Sequence, residues 1–212
     1  MAKYPEPGRV KTRLAGAVGS DEACALYRAF LRDLSERLHA GPWRMVWAMT
    51  PPGSRLEGLV GAAPPIHIDQ RGGDLATRMH HCFEDLFTAG ARRVVMIGAD
   101  APHVTASTVA RAFDAVDRSD VVLVPTRDGG YCLVGMREAH DIFTSVAMGT
   151  ERVCDQTAEA CSRLGLTVSR LEPAFDVDEV ADARALLDWL GDSEELPHSS
   201  RVLRRWRRAG II

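Results

Sequence analysis

The sequence predicts a single α/β domain in which a mostly parallel sheet is covered by helices on both faces. Short apolar, β-branched runs alternate along the chain with amphipathic stretches of helix length, the pattern of a sheet wrapped by crossover helices. The 212 residues suffice for one well-buried core and are short for two. No internal repeat, low-complexity tract or linker divides residues 1–212, so one domain is expected throughout.

The elements follow in order. Ser20-Asp21-Glu22 can cap a helix whose apolar positions Tyr27, Phe30, Leu31, Leu34 and Leu38 recur at helical spacing. Met45 to Met49 reads as a strand and Pro65 to Asp69 as a shorter one. Between that and the next strand, Val94 to Ile97, lies a helix with Leu75, Met79, Cys82, Phe83 and Leu86 on one face. Thr105 to Val116 fits a helix, and Val121–Val124 and Tyr131–Val134 look like two strands around Arg127-Asp128-Gly129-Gly130. Further helices are expected near Ile142 and from Thr150 to Leu164, a strand from Leu166 to Leu171, and an amphipathic helix carrying Val180, Ala183, Leu187 and Leu190. The tail from Arg201 to Arg208 is basic around Leu203 and Trp206; it is either a solvated helix face packed by those two residues or a contact for an anionic partner.

Composition narrows the function classes. A net charge of -3 argues against a general nucleic-acid or membrane-surface binder, and no stretch approaches the roughly 20 apolar residues that span a bilayer. Met1-Ala2-Lys3-Tyr4-Pro5 leads into a Pro/Gly/basic segment with no apolar signal core, so a cytoplasmic location is expected. The 5 cysteines are odd in number and lack C-x-x-C spacing, which suggests buried small hydrophobes rather than disulfides or structural zinc.

Five segments carry candidate chemistry. Val94 to His103 ends a buried strand on Asp100, held by small residues and Pro102; an acid there is either a turn residue or a group facing the crevice where open α/β sheets bind ligands. Pro7-Gly8-Arg9-Val10-Lys11-Thr12-Arg13 delivers three cations beside a glycine, which suits a pyrophosphate or makes an ordinary basic loop; it lacks Walker spacing. In Gln70-Arg71-Gly72-Gly73-Asp74, the glycines allow a nucleoside to approach while Gln70 or Asp74 bonds base or ribose. Asp74 equally serves as a helix cap, and Arg78 as a surface residue of that helix. Asp128-Gly129-Gly130-Tyr131 is either a hairpin turn or an acceptor site with Asp128 as base or orienting group. Following the last strand, Asp176 and Asp178 can face a divalent cation together with Asp100, although Asp178 alone is explained by an N-cap.

Together PGRVKTRL (7–14), GGDLATRM (72–79), IGADAPH (97–103), DGGYCLVG (128–135) and FDVD (175–178) span almost the whole chain. In this order they resemble a bacterial family of glycosyltransferase-like proteins, formerly a domain of unknown function. That family lies in the nucleotide-diphospho-sugar transferase superfamily, beside the nucleotidyltransferases of molybdenum-cofactor and deazaflavin-cofactor synthesis. The resemblance implies a three-layer glycosyltransferase-A fold, metal-binding acids at Asp100 and Asp178, and nucleotide phosphates at Lys11 and Arg13. It also implies an apolar first strand ahead of Lys3, of which Met1 and Ala2 alone precede that residue, so this strand is expected to be largely missing.

The expected reaction is group transfer. Mg2+ or Mn2+ on Asp100, Asp176 and Asp178, with Lys11 as catalytic cation, would stabilise a leaving pyrophosphate. Gly8, Arg9, Lys11, Arg13, Gln70, Gly72, Gly73 and Asp74 would hold the nucleotide, and Asp128 would act on an acceptor placed by Gly129, Gly130 and Tyr131. The expected partners are a nucleotide-sugar or nucleoside triphosphate and a small-molecule acceptor, with a homodimer among the expectations. Glycosyl transfer leads; nucleotidyl transfer to a phosphorylated acceptor and inert nucleotide binding are the alternatives.

Overall fold

A computed structural model describes residues 1–61 and 64–212. Strand β1 (Ala2–Lys3) runs parallel to β2 (Val46–Thr50), which pairs in parallel with β3 (Ile66–Asp69). Strand β4 (Val94–Ile97) pairs antiparallel with β6 (Tyr131–Met136), β6 antiparallel with β5 (Val121–Pro125), and β5 in parallel with β7 (Val168–Arg170). The two halves meet at Met1: its ammonium donates to the Ile97 carbonyl at 2.6 Å, and the Ala99 amide donates to the Met1 carbonyl at 3.2 Å. This parallel-type bonding gives one order, β3-β2-β1-β4-β6-β5-β7, with a first strand of two residues.

The central strands explain the two-sided covering. Val121 to Val124 are buried almost without exception, so β5 shows no polar face. Val122 and Val124 pack into one core with α1 (Thr12–Val18), α2 (Ser20–His39), α4 (Ala106–Val116), α6 (Val180–Leu190) and α7 (Pro197–Arg208). Val121 and Leu123 face the other core, with α3 (Leu75–Thr88) and α5 (Val153–Arg163). All 5 cysteines are free and buried. Among the described residues no helix is long and apolar enough to cross a membrane.

Three expectations are corrected. The helix expected near Ile142 is a turn: the Asp141 carboxylate accepts from the amides of Phe143 and Thr144, and this local bonding competes with helix while Ile142 and Phe143 stay fully buried. Helix α5 starts at Val153 rather than Thr150, after Gly149 in the left-handed region. Helix α1, hidden in the sequence by Gly16 and β-branched residues of low helix propensity, occupies the end of the basic loop.

The basic tail is the outer face of α7. Leu203 and Trp206 are fully buried, and Trp206 donates its indole N–H to Glu22 of α2. The N-cap position of α7 is Leu196, which has no capping oxygen, and Asp33 of α2 supplies one instead. Its buried carboxylate accepts from the amides of His198 (3.0 Å) and Ser199 (2.8 Å) and from the Ser199 hydroxyl. Burial pushes the Asp33 carboxyl up against the opposing pull of those donors. Asp33→Ala leaves orphaned amides and a cavity at once, so chemical denaturation is expected to show a loss of about 2–4 kcal/mol, and Asp33→Asn a smaller one.

Candidate active site

Each carboxylate of the candidate site follows the carboxyl end of a parallel strand. Asp100 follows β4, Asp128 follows β5, and Asp176 and Asp178 lie beyond β7. The basic loop follows β1, at the β1–β4 junction where the strand order reverses its direction and a crevice opens in sheets of this kind. These loops line a cleft of about 1150 Å³.

Lys11 is at its centre. Its side chain is only 3% exposed, and its ammonium lies 2.6 Å from Asp100 Oδ1 and 2.8 Å from Asp178 Oδ1. Burial opposes the charge, but the two carboxylates outweigh it and hold the Lys11 pKa above its ordinary value. Arg13 adds a second, exposed cation 3.6 Å from Asp178 Oδ2. The backbone of Lys11 has φ 48° and ψ 47°, and among the described residues it is the one non-glycine with positive φ. That conformation costs on the order of 1–2 kcal/mol and persists where surrounding contacts enforce it.

Asp176 lies behind this group. Burial first, then the Asp100 charge, push its carboxyl up to about 7, with Lys11 opposing and Asp128 and Asp178 adding to the shift. Asp128 is held as a turn and still faces the cleft. Its Oδ1 accepts the Thr126 hydroxyl at 2.5 Å and the Gly130 amide at 3.1 Å. Both readings of the Asp-Gly-Gly segment are therefore compatible with one geometry.

The remaining expected residues divide. Arg9 lines the cleft, paired with Glu6 on its exposed side, whereas Gly8 forms the preceding turn. Gln70 borders the cleft, yet its amide N–H groups are spent on the carbonyls of Ala2 and Ala48, tying β1 to β2. Asp74 caps α3 by accepting from the Thr77 amide. Gly72 and Gly73 lie behind that cap, and Leu75 and Arg78 line the cleft in their place. The Tyr131 ring borders the cleft but its hydroxyl is buried on the α5 side, where burial raises its pKa. The ring, rather than the hydroxyl, is the part of Tyr131 that faces the cleft where an acceptor is expected.

Thr126 and Glu151 were not anticipated. Thr126 fixes the Asp128 carboxylate, and its signal was the hydroxyl two residues before the acid, a side-chain turn pattern. Glu151 borders the cleft, and its carbonyl sits against Gly129, whose own carbonyl accepts from the Cys154 amide at the start of α5. Gly129 thus acts through close packing rather than acceptor contact.

Two outcomes follow from this geometry. A Cβ on Gly129 would lie 1.8 Å from the Glu151 oxygen, at φ 85°. Gly129→Ala should therefore cost about 2 kcal/mol or more by urea denaturation, since α5 must shift. Asp176 is protonated more readily folded than unfolded, so its contribution is present below about pH 4 and is lost as pH rises through about 7. In metal-free buffer, moving from pH 4 to pH 8 should shift stability in favour of Asp176→Asn over wild type by on the order of 1–3 kcal/mol.

Comparisons with known proteins agree with this architecture. The chain superposes over 99% of its length on a protein of Desulfovibrio desulfuricans G20, provisionally described as a nucleotide-diphospho-sugar transferase. The TM-score is 0.89 and the identity 33%, with 94% of that chain covered. The 2-phospho-L-lactate guanylyltransferase of Natronomonas pharaonis is 29% identical over 189 residues, 85% of this chain and 84% of that protein. Residues 25–150 match the family model described as an uncharacterized protein conserved in bacteria, DUF2064. The chain belongs to the DUF2064 family and has the α/β fold of a nucleotide-diphospho-sugar transferase.

Proposed function

We propose that the cleft binds a nucleotide-activated donor and, with a divalent cation, transfers a group from it to a small-molecule acceptor. The observation that carries this reading is the buried Lys11 ammonium held between Asp100 and Asp178 at the ends of β1, β4 and β7. Among the described residues no three His, Cys, Asp or Glu side chains stand in metal-holding geometry. The donor chemistry nevertheless fits Mg2+ or Mn2+: hard carboxylate oxygens, open toward the cleft, leave further positions for phosphate oxygens and water. Asp100 and Asp178 would hold the ion, with Asp176 behind them; the bound ion supplies positive charge where the leaving phosphate gains negative charge.

This chain's own residues would do the rest. Arg9, Lys11 and Arg13 bind donor phosphates, and Arg78 closes the opposite rim. Asp128, locked through one oxygen by Thr126 and Gly130, has its other oxygen without a hydrogen-bond partner among the described residues and takes the proton from the acceptor as it attacks. The stretch Met148–Val153 beside Asp128 brings Glu151 to the cleft, while its exposed Arg152 pairs with Glu159 of α5. Glycosyl transfer is the leading reading, supported by the likeness to the Desulfovibrio protein provisionally described as a nucleotide-diphospho-sugar transferase. Nucleotidyl transfer is the second reading, favoured by the 29% identical guanylyltransferase.

A thermal-shift screen of nucleoside triphosphates and nucleotide-sugars, with and without Mg2+, identifies the donor, because ligands that bind the folded state stabilise it. Product analysis then separates the readings: nucleoside diphosphate for glycosyl transfer, pyrophosphate for nucleotidyl transfer, and neither for an inert binder. Asp128→Asn keeps the turn and removes the base, so turnover is expected to fall by about 10²- to 10⁴-fold with donor affinity retained. Wild-type turnover in that variant would return Asp128 to a purely structural role. Asp100→Asn should abolish Mg2+-dependent donor binding while leaving the circular dichroism spectrum unchanged.

A further inference from the structure

Lys11 is assigned two tasks that it cannot perform at once. As a phosphate ligand its ammonium must face the cleft. In the fold it is instead withdrawn beneath the two carboxylates, its side chain 3% exposed while those of Asp100 and Asp178 are 46% and 39% exposed. Two acid oxygens already accept from it, and a divalent ion on the same oxygens would stand within contact distance of a buried cation. Like charges so placed repel strongly, and the cost rises as water is excluded. Arg9, Arg13 and Arg78, all at the cleft, remain available to meet an incoming phosphate first.

We propose that Lys11 is the resident cation of the site: its ammonium and a divalent metal ion exclude one another between Asp100 and Asp178, and donor phosphates open the metal position by drawing the ammonium into the cleft. The consequence is a binding order, nucleotide before or together with metal, enforced by one side chain. This rests on the reading of Asp100 and Asp178 as metal ligands, and the test separates the two.

Mn2+ alone is titrated into the protein and followed by electron paramagnetic resonance. Lys11→Met should bind Mn2+ at least about tenfold more tightly than wild type, equivalent to about 1.4 kcal/mol. Arg13→Gln removes a nearby charge without vacating the position and should change affinity by less than about threefold, as for an exposed pair. Adding Asp100→Asn to Lys11→Met should abolish the gain. Equal Mn2+ affinity in wild type and Lys11→Met, lost on Asp100→Asn, overturns the exclusion and leaves the metal reading standing. No Mn2+ binding by a folded Lys11→Met overturns both. Should that variant not fold, wild type alone decides: saturating Mn2+ should raise acylation of the Lys11 amine severalfold by mass spectrometry, and unchanged labelling overturns the proposal.

Discussion

The ion triad of Lys11, Asp100 and Asp178 is the interaction on which the rest of the site depends. It fastens the loop after the first strand to two loops that arrive much later in the chain. The Val177 amide, donating to the Asp100 carbonyl at 3.0 Å, joins those two loops to each other. Without a cation among them, the clustered carboxylates Asp100, Asp128, Asp176 and Asp178 would repel one another at close range. With it, two are neutralised in place, Asp128 stays open to the cleft, and Asp176 is left as the acid most resistant to ionisation. One buried cation therefore decides how the charge of four acids is distributed.

The sheet makes that concentration possible. Strands β1, β4, β5 and β7 end on the same edge, so loops far apart in sequence deliver their polar residues to one place. Antiparallel β6 returns between β4 and β5, filling the centre with Leu133 and Val134, and at the opposite edge Arg137 just beyond it pairs with Asp120 ahead of β5.

The fold was largely legible because buried parallel strands advertise themselves as unbroken apolar runs, as at Val121–Val124. The amphipathic helices were legible for a similar reason, since their period is local. What escaped was set by partners distant in sequence or by side chains competing with the backbone. Asp141 turned an apolar pair into a tight bend; glycine and β-branched residues concealed α1; the amide of Gln70 and the hydroxyl of Tyr131 look available until the strands and helix that enclose them are in place. At the site, the acids, cations and glycines were visible as types and spacings. That Lys11 would lie between the acids expected to bind metal was not, because residue 11 and residue 178 become neighbours only through the completed sheet.

The cap that Asp33 lends to α7 bears on how the chain reaches this state. Residues 33 and 199 are separated by 166 positions, nearly the whole polypeptide. During vectorial synthesis α2 emerges with an acid on its inner face whose partners, the amides at the start of α7, have yet to be made. Contacts of such long range carry a large loop-closure cost and form late. Helix α2 is thus among the first elements made and among the last to be secured, since its buried acid is satisfied only once α7 has docked.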